Sequence, residues 1–245
     1  MQRLYYPKEH ILGDSISINT AEQVHYLYGV LRLRPKESLL VFDGKGAEYL
    51  CVAENLTSRQ IDLKVKEKRQ ARSIEPRLSI ACAIPKKSKM DDIIDKLTQL
   101  GAASIIPMLT QRVNVEWGQQ QRNKHAARWR KIAISACEQS GRAYLPVIED
   151  IVEFKTVIAK KGDFDLKLIP NLTHKKNTLK ELFIAHHFRN ILVLIGPEGD
   201  FTPEEVKLAL DNGFQAVSLG DLVLRVETAA VAVASYIRLD NEKNS

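Results

Sequence analysis

The chain has 245 residues, 44% of them hydrophobic and 27% charged, with a formal net charge of +6. This is the makeup of a globular protein long enough for one large domain or two smaller ones, not of a disordered or fibrous chain. No apolar run approaches the roughly 20 residues of a membrane span, MQRLYYPKEH lacks the apolar core of a signal peptide, and Cys51, Cys82 and Cys137 are scattered singly, so neither a disulfide framework nor a zinc site is indicated and a reducing cytoplasm is expected.

The charge is uneven. Residues 1–145 carry 24 Lys and Arg against 15 Asp and Glu, net +9, and the remainder carries 12 against 15, net −3. A front half that meets a polyanion is one reading; a charge that only keeps the chain soluble is the other.

Residues 1–72 read as a small β-rich domain. Short β-like runs cover 15–18, 38–42, 47–52 and 60–65, and one helical stretch covers 21–30 with Val24, Leu27 and Tyr28 at helical spacing. Asp43-Gly44 is a hairpin signal between two of the runs. Gly44-Lys45-Gly46 lacks both the third glycine of a dinucleotide loop and a Gly-Lys-Ser/Thr ending, so it reads as a hairpin tip. Between Lys64 and Arg77 the chain sets Lys64, Lys66, Lys68, Arg69, Arg72 and Arg77 against only Glu67 and Glu75. That stretch is either a solvated strand end and linker or a track that contacts phosphates.

A second domain, 73–245, alternates strand and helix, the pattern of a parallel α/β sheet. A buried-strand run at 78–84 ends at Pro85. Ser88 caps a helix with Ile93, Ile94, Leu97 and Leu100 inward, stopped by Gly101. A strand at 104–108 and a helix at 123–140 follow, the helix carrying Trp129, Ile132, Ala133, Ala136 and Cys137 on one stripe. A strand at 165–169 leads to Pro170-Asn171-Leu172. The unbroken apolar run 191–195 is a strand buried on both faces. Gly196-Pro197-Glu198-Gly199 turns the chain, and Thr202, Pro203 and Glu205 are an N-cap, an N1 proline and a capping-box acid. That helix runs to about Asn212. A strand at 216–219, a loop at 220–225 and a helix at 228–239 complete the chain, and only the tail after Asp240 reads as disordered.

The ordinary nucleophiles are unpromising. Ser135 and Ser140 lie on a helical pattern rather than in a strand-turn-helix elbow. Cys137 sits on the apolar stripe and reads as a packing thiol. His186 and His187 are adjacent, hence point apart, and make poor metal ligands. His25 lies off the apolar stripe of its helix, and is either a surface residue or a contact for a polyanion.

Ligands of open parallel sheets bind beyond the carboxyl ends of the strands. The ends at Pro170–Leu172, Ile195–Gly199 and Leu219–Leu224 therefore predict one pocket. Its glycines let a flat or charged ligand approach the backbone. Glu198 and Asp200 would repel a phosphate and suit a cation. Arg225 and Glu227, two residues apart, share a face if extended, as a structural ion pair or as working groups. The closing helix, Ala229-Ala230-Val231-Ala232-Val233-Ala234 at its centre, is apolar all round and is expected to be buried.

GPEGDFTPEEV followed by VSLGDLVLRVETAA resembles the C-terminal signature of the SPOUT-class RNA methyltransferases, and more narrowly of the RsmE-type family. HYLYGVLRLR at His25, KKSKMDDIIDKLTQLGAASIIPM at Lys86 and RWRKIAISACEQSGRAYLP at Arg128 carry the same resemblance. It implies a PUA-like β-barrel for RNA binding ahead of a SPOUT domain with a C-terminal trefoil knot. It also implies a homodimer through the last helix, no metal, and S-adenosylmethionine-dependent methylation of uridine nitrogen 3 in small-subunit (16S) ribosomal RNA. The cofactor would be held by Pro170, Leu172, Ile195, Gly196, Pro197, Glu198, Gly199, Leu219, Gly220, Leu222, Leu224 and Thr228. RNA contacts would come from His25, Arg32, Arg34, Arg69, Arg72 and Arg142. Nitrogen 3 becomes a nucleophile as its proton leaves, so Arg225 would stabilise charge on the uracil oxygens while Glu198 or Glu227 takes the proton. The chain departs from the family's usual glycine at Asp200, and from its frequent basic residue near Asp221-Leu222. The rival readings are a non-catalytic RNA-binding ribosome-assembly factor and a SPOUT enzyme with another target base.

Overall fold

A computed structural model describes residues 1–242 except 12, 87–88, 114–116, 161, 163, 172–176 and 186; of 185, 241 and 242 it describes the backbone alone. The chain divides into two compact units, Met1–Ser73 with Cys137–Leu145, and Ile74–Ala136 with Pro146–Ser245.

The first unit is built on a mixed sheet of five strands: β1 (Gln2–Tyr5), β2 (Ser15–Ile18), β3 (Ser38–Phe42), β4 (Ala47–Leu56) and β5 (Ile61–Gln70), in the order β1-β3-β4-β5-β2. Ile16, Ile18, Leu39, Val41, Ile61 and Leu63 alternate into its core. The sequence reading assigns no strand to Gln2–Tyr5, where only Leu4 is buried; its parallel pairing with β3 is a long-range contact without a local signal. The hairpin tip is as expected, with the Asp43 carboxylate accepting from the Lys45 and Ala47 N–H groups at 2.7 and 3.0 Å. The strand expected at 60–65 runs on to Gln70, so Lys64, Lys66, Lys68 and Arg69 stand on β5 and not in a linker.

The helix expected at 21–30 is α-helical only over α1 (Ala21–Val24) and widens into a π-helical turn over His25–Val30, with the Leu31 N–H bonded to the Tyr26 carbonyl. The wider turn breaks the 3.6-residue spacing. Val24 and Leu27 are buried as the spacing predicts, but Tyr28 is rotated out and is 49% exposed.

In the second unit β6 (Arg77–Ala83), α2 (Lys89–Gln99), β7 (Ser104–Leu109), α3 (Gln119–Ser140), β8 (Val147–Ile148), β9 (Val152–Glu153), α4 (Phe154–Ile158), β10 (Leu166–Pro170), β11 (Asn177–Thr178), α5 (Leu179–Ala185), β12 (Asn190–Ile195), α6 (Pro203–Asp211), β13 (Gln215–Ser218) and α7 (Val226–Glu242) follow one another. The last turn of α3 belongs to the first unit. Every strand pairing here is parallel, in the order β11-β13-β10-β12-β6-β7-β8, with β9 also on β7.

The β12 run is buried on both faces. Ile191, Val193 and Ile195 join a core with α2 and α7, while Leu192 and Leu194 join the opposite one with α4 and α6. α2 ends as its glycine predicts: Gly101 adopts φ +78°, its N–H bonds to the Thr98 carbonyl and that of Ala102 to the Leu97 carbonyl, a Schellman closure. The cap expected at Ser88, and His186, lie outside the described residues. Cys137 is fully buried, and burial pushes its thiol up to about 11.

The closing helix differs from expectation in two ways. It begins at Val226, two residues early, and only one stripe of it, Ala230, Val233, Ala234 and Ile237, is fully buried. Thr228, Ala232 and Leu239 are exposed along the outside. The small residues that make the helix apolar all round fit it against α2 and the sheet, which together cover one side of it and leave the other outside. The helix reaches Glu242, and residues 243–245 lie outside the described residues. No described helix is long and apolar enough to cross a membrane.

Candidate active site

The carboxyl ends of β10, β12 and β13 and the first turn of α7 enclose a cavity of about 250 Å³. From β10 come Pro170 and the buried Asn171, and from the end of β12 come Ile195, Gly196, Pro197, Glu198 and Gly199. Beyond β13 come Leu219, Gly220, Leu222 and Leu224. These include ten of the twelve residues proposed from sequence. Leu172 lies outside the described residues, and Thr228 is exposed on α7 and is not part of the lining. Asn171, Asp200, Val223, Val226 and Ala229 also line the cavity and were not named singly as cofactor residues. Asn171, Asp200 and Val223 stand inside stretches that were named, but α7 was expected to begin too late for Val226.

The glycine loop is shaped by its neighbours. A Cβ on Gly196 would come within 3.1 Å of the buried Phe201 ring, so the glycine lets that ring pack closely against the loop. The Pro197 carbonyl accepts from the Asp200 N–H at 2.9 Å, closing a turn. Asp200 has φ +64°, a left-handed conformation that glycine, asparagine and aspartate tolerate best. Its carboxylate also accepts from the Phe201 N–H at 2.8 Å. The aspartate thus tolerates the left-handed backbone and adds a hydrogen bond to it.

The helix start is as the sequence predicts. The Thr202 hydroxyl accepts from the Glu205 N–H at 3.2 Å, and the Glu205 carboxylate accepts from the Thr202 N–H at 3.0 Å. The other oxygen of that buried carboxylate accepts from the Gln111 N–H at 2.8 Å, tying the end of β7 to α6.

The three catalytic candidates are placed differently from one another. Glu198 lines the cavity and accepts from the Lys86 N–H at 3.1 Å. Glu227 is the second residue of α7, and its partner is Lys89 Nζ at 2.9 Å, so the extended Arg225–Glu227 pairing is corrected. The cause is the early helix start: Arg225 precedes the first helical residue and uses its carbonyl to accept the Ala229 N–H. Burial pushes the Glu227 pKa up, but the Lys89 hydrogen bond and charge, with help from the backbone and Arg225, hold it below the ordinary carboxylate value. Arg225 is exposed. Cys82, at the end of β6, is fully buried, and its thiol is pushed up by burial first and then by the Glu198 and Glu227 carboxylates.

The RNA candidates lie in the first unit. His25, Arg32, Arg34 and Arg72 are exposed, and Arg142 is half-buried, its guanidinium acidity raised by burial. Arg69 is committed to Glu48, a buried carboxylate held between Arg69 Nε at 2.7 Å and Arg3 Nη2 at 2.8 Å. No group of three or more metal-capable side chains is found among the described residues.

A parallel sheet with a pocket beyond three strand ends, preceded by a small mixed-sheet unit, defines a two-unit α/β ligand-binding protein. The model of the RNA methyltransferase domain matches residues 73–238, and that of the RNA methyltransferase PUA domain matches residues 18–66. The chain belongs to the RNA methyltransferase family. A relative from Rickettsia conorii named ribosomal RNA small subunit methyltransferase E is 32% identical over 97% of this chain and 95% of its own. One of the same name from Synechocystis sp. is 31% identical over 96% of this chain and 76% of its own. The crystal structure of a ribosomal RNA small subunit methyltransferase E from Neisseria gonorrhoeae bound to S-adenosyl methionine superposes with a TM-score of 0.87. It is 30% identical over 98% of this chain and 97% of that one.

Proposed function

We propose that this chain methylates nitrogen 3 of a uridine in small-subunit ribosomal RNA, using S-adenosylmethionine bound in the pocket at the ends of β10, β12 and β13. The pocket's lining carries the reading. Ile195, Leu219, Leu222 and Val226 offer apolar surface for a flat ring, the glycine loop offers bare backbone, and Glu198 and Asp200 offer carboxylates to a cation. That donor set fits a sulfonium bearing a nucleoside and does not fit a phosphate. When bound, the cofactor supplies an activated methyl group, so the protein's task is alignment and charge.

In this reading Arg225 meets the negative charge that spreads onto the uracil oxygens as the nitrogen 3 proton leaves. Glu227, held ionised by Lys89, is a weaker proton acceptor than a free carboxylate, which favours Glu198 of the two. Glu198 lines the cavity and keeps one oxygen clear of the Lys86 bond among the described contacts. The residues 1–73 unit would present His25, Arg32, Arg34 and Arg72 to RNA in the cytoplasm. The exposed outer stripe of α7, with Ala232 and Leu239, supports a homodimer. A knotted chain path belongs to the same reading.

Calorimetry with S-adenosylmethionine tests the core of it. Absence of binding would leave only a non-catalytic RNA-binding protein. Mass mapping of ribosomal RNA from a strain lacking the gene should then show one uridine without its methyl. RNA affinity should fall steeply as salt rises, and Arg72→Glu should weaken it without altering cofactor affinity. Arg69→Glu is a poor probe, because it sets a second carboxylate against buried Glu48.

A further inference from the structure

We propose that Arg112 is a positioning residue for the pocket. From the turn after β7 its guanidinium holds the Gly199 and Asp200 carbonyl groups, and so sets the backbone wall against which the ligand lies. The inference rests on the reading of this pocket as the cofactor site.

Four observations carry it. Residues 196–200 belong to no strand or helix, so their carbonyl groups have no ladder to satisfy them. Arg112 Nη1 donates to the Gly199 carbonyl and, at 3.4 Å, lies within reach of that of Asp200. The residue before it is anchored, since the Gln111 N–H is bonded to the buried Glu205 carboxylate. Finally, a Cβ on Gly199 would meet Arg112 Cδ at 3.3 Å, while the Gly199 backbone is not left-handed. A side chain at 199 would therefore press on the arginine's aliphatic stem, so the two residues share that space.

The helix does not explain the arginine. A cation beside the N-terminus of α6 opposes the helix dipole. The Glu204 carboxylate on α6 is held below its ordinary value first by its own backbone N–H and by Thr202, and only last by the Arg112 charge. The described hydrogen-bond partners of Arg112 are the two loop carbonyls. A guanidinium offers several donors in one rigid plane, which suits two carbonyls that must keep a fixed relation.

The test is calorimetry with S-adenosylmethionine on the full chain and on Arg112→Ala, Arg112→Lys, Gly199→Ala and the double variant Arg112→Ala with Gly199→Ala. Arg112→Ala should weaken binding roughly tenfold, the scale of one charge-assisted hydrogen bond, with an unchanged melting temperature. Arg112→Lys should recover part of the loss. Gly199→Ala should weaken binding in the parent and less so without the arginine, because the added methyl acts through its stem. Should Arg112→Ala fail to fold, Arg112→Lys decides: cofactor affinity equal to the parent's overturns the proposal. So does an Arg112→Ala protein that binds the cofactor normally and shows only a raised KM for RNA. If the unaltered chain binds no cofactor, the pocket reading itself fails; if it binds and Arg112→Ala binds equally, only the role of Arg112 fails.

Discussion

Two loops line the pocket and are held by different means. Residues 196–200 are tied from outside: Lys86 to Glu198, Arg112 to Gly199 and Asp200, and Gln111 to the Glu205 cap that follows. Residues 219–225 have only local bonds among those described, between Ser218 and Gly220 and from the Ala229 N–H to the Arg225 carbonyl. Leu222 and Val223 there are 78% and 74% exposed. One wall is organised before a ligand arrives. The other has no such ties among the described residues, and in the proposed reading it supplies the groups that respond to the reaction rather than the frame that holds it.

The largest effect should fall on the loosely held side. Arg225→Ala should slow methylation ~100–1000-fold, the loss of ~2.7–4 kcal/mol seen when a preorganised donor is removed, with cofactor affinity nearly unchanged. Arg225→Lys should restore part of the rate, because an ammonium keeps the charge without the planar fork. Single-turnover rates beside calorimetry separate the two effects. Lost cofactor affinity or unfolding in Arg225→Ala would make the residue part of the frame and erase the difference between the walls.

At the helix cap behind the held loop, damage should appear as stability. Glu205→Ala removes the acid of the capping box and leaves the Gln111 and Thr202 N–H groups without their acceptor. A cap is worth about 1 kcal/mol, and a buried donor left unpaired costs a further ~1–3 kcal/mol. Thermal unfolding should report the sum, and Glu205→Gln should lose less. An unchanged melting temperature would show that the loop needs no support from β7.

Asp200 sharpens the same point on a smaller scale. Asp200→Ala places an ordinary side chain at φ +64° without the compensating bond to Phe201, and should cost ~1–2 kcal/mol. Asp200→Gly should be close to neutral, since the relaxed backbone offsets the lost hydrogen bond. Equal losses in the two variants would mean that the carboxylate, not the backbone, is what matters.

The smallest effect belongs to Lys89, which joins α2 to the first turn of α7. Lys89→Met should cost ~0.2–1 kcal/mol near neutral pH, the range of a partly exposed pair. The sign with pH is fixed by Glu227. Burial opposes its ionisation, yet the lysine's hydrogen bond and charge leave it below the ordinary value in the folded state. Its contribution is thus present above the ordinary carboxylate value and lost as pH falls through the lower folded one. Denaturant unfolding of parent and variant should converge in acid; a difference that widened there would contradict the assignment.

The expected signals were strongest where the cause is local. The run Ile191–Ile195, the cap at Thr202-Pro203-Glu205 and the stop at Gly101 are written in neighbouring residues, and the chain folds accordingly. The lining of the pocket was legible for the same reason, because strand ends and glycine turns mark it without knowledge of the partner strands. Other features required the tertiary structure. Lys89 meets Glu227, Arg112 meets Gly199, and Glu48 gathers Arg3 and Arg69 across intervals that carry no periodicity. The sequence alone predicted an all-round buried last helix, but burial of one stripe depends on how many layers cover it. Hydrophobic period, capping and turn chemistry act between neighbours in the chain. The partner of a charged side chain is decided only when distant strands set their ends side by side, and that is where this pocket acquires its frame.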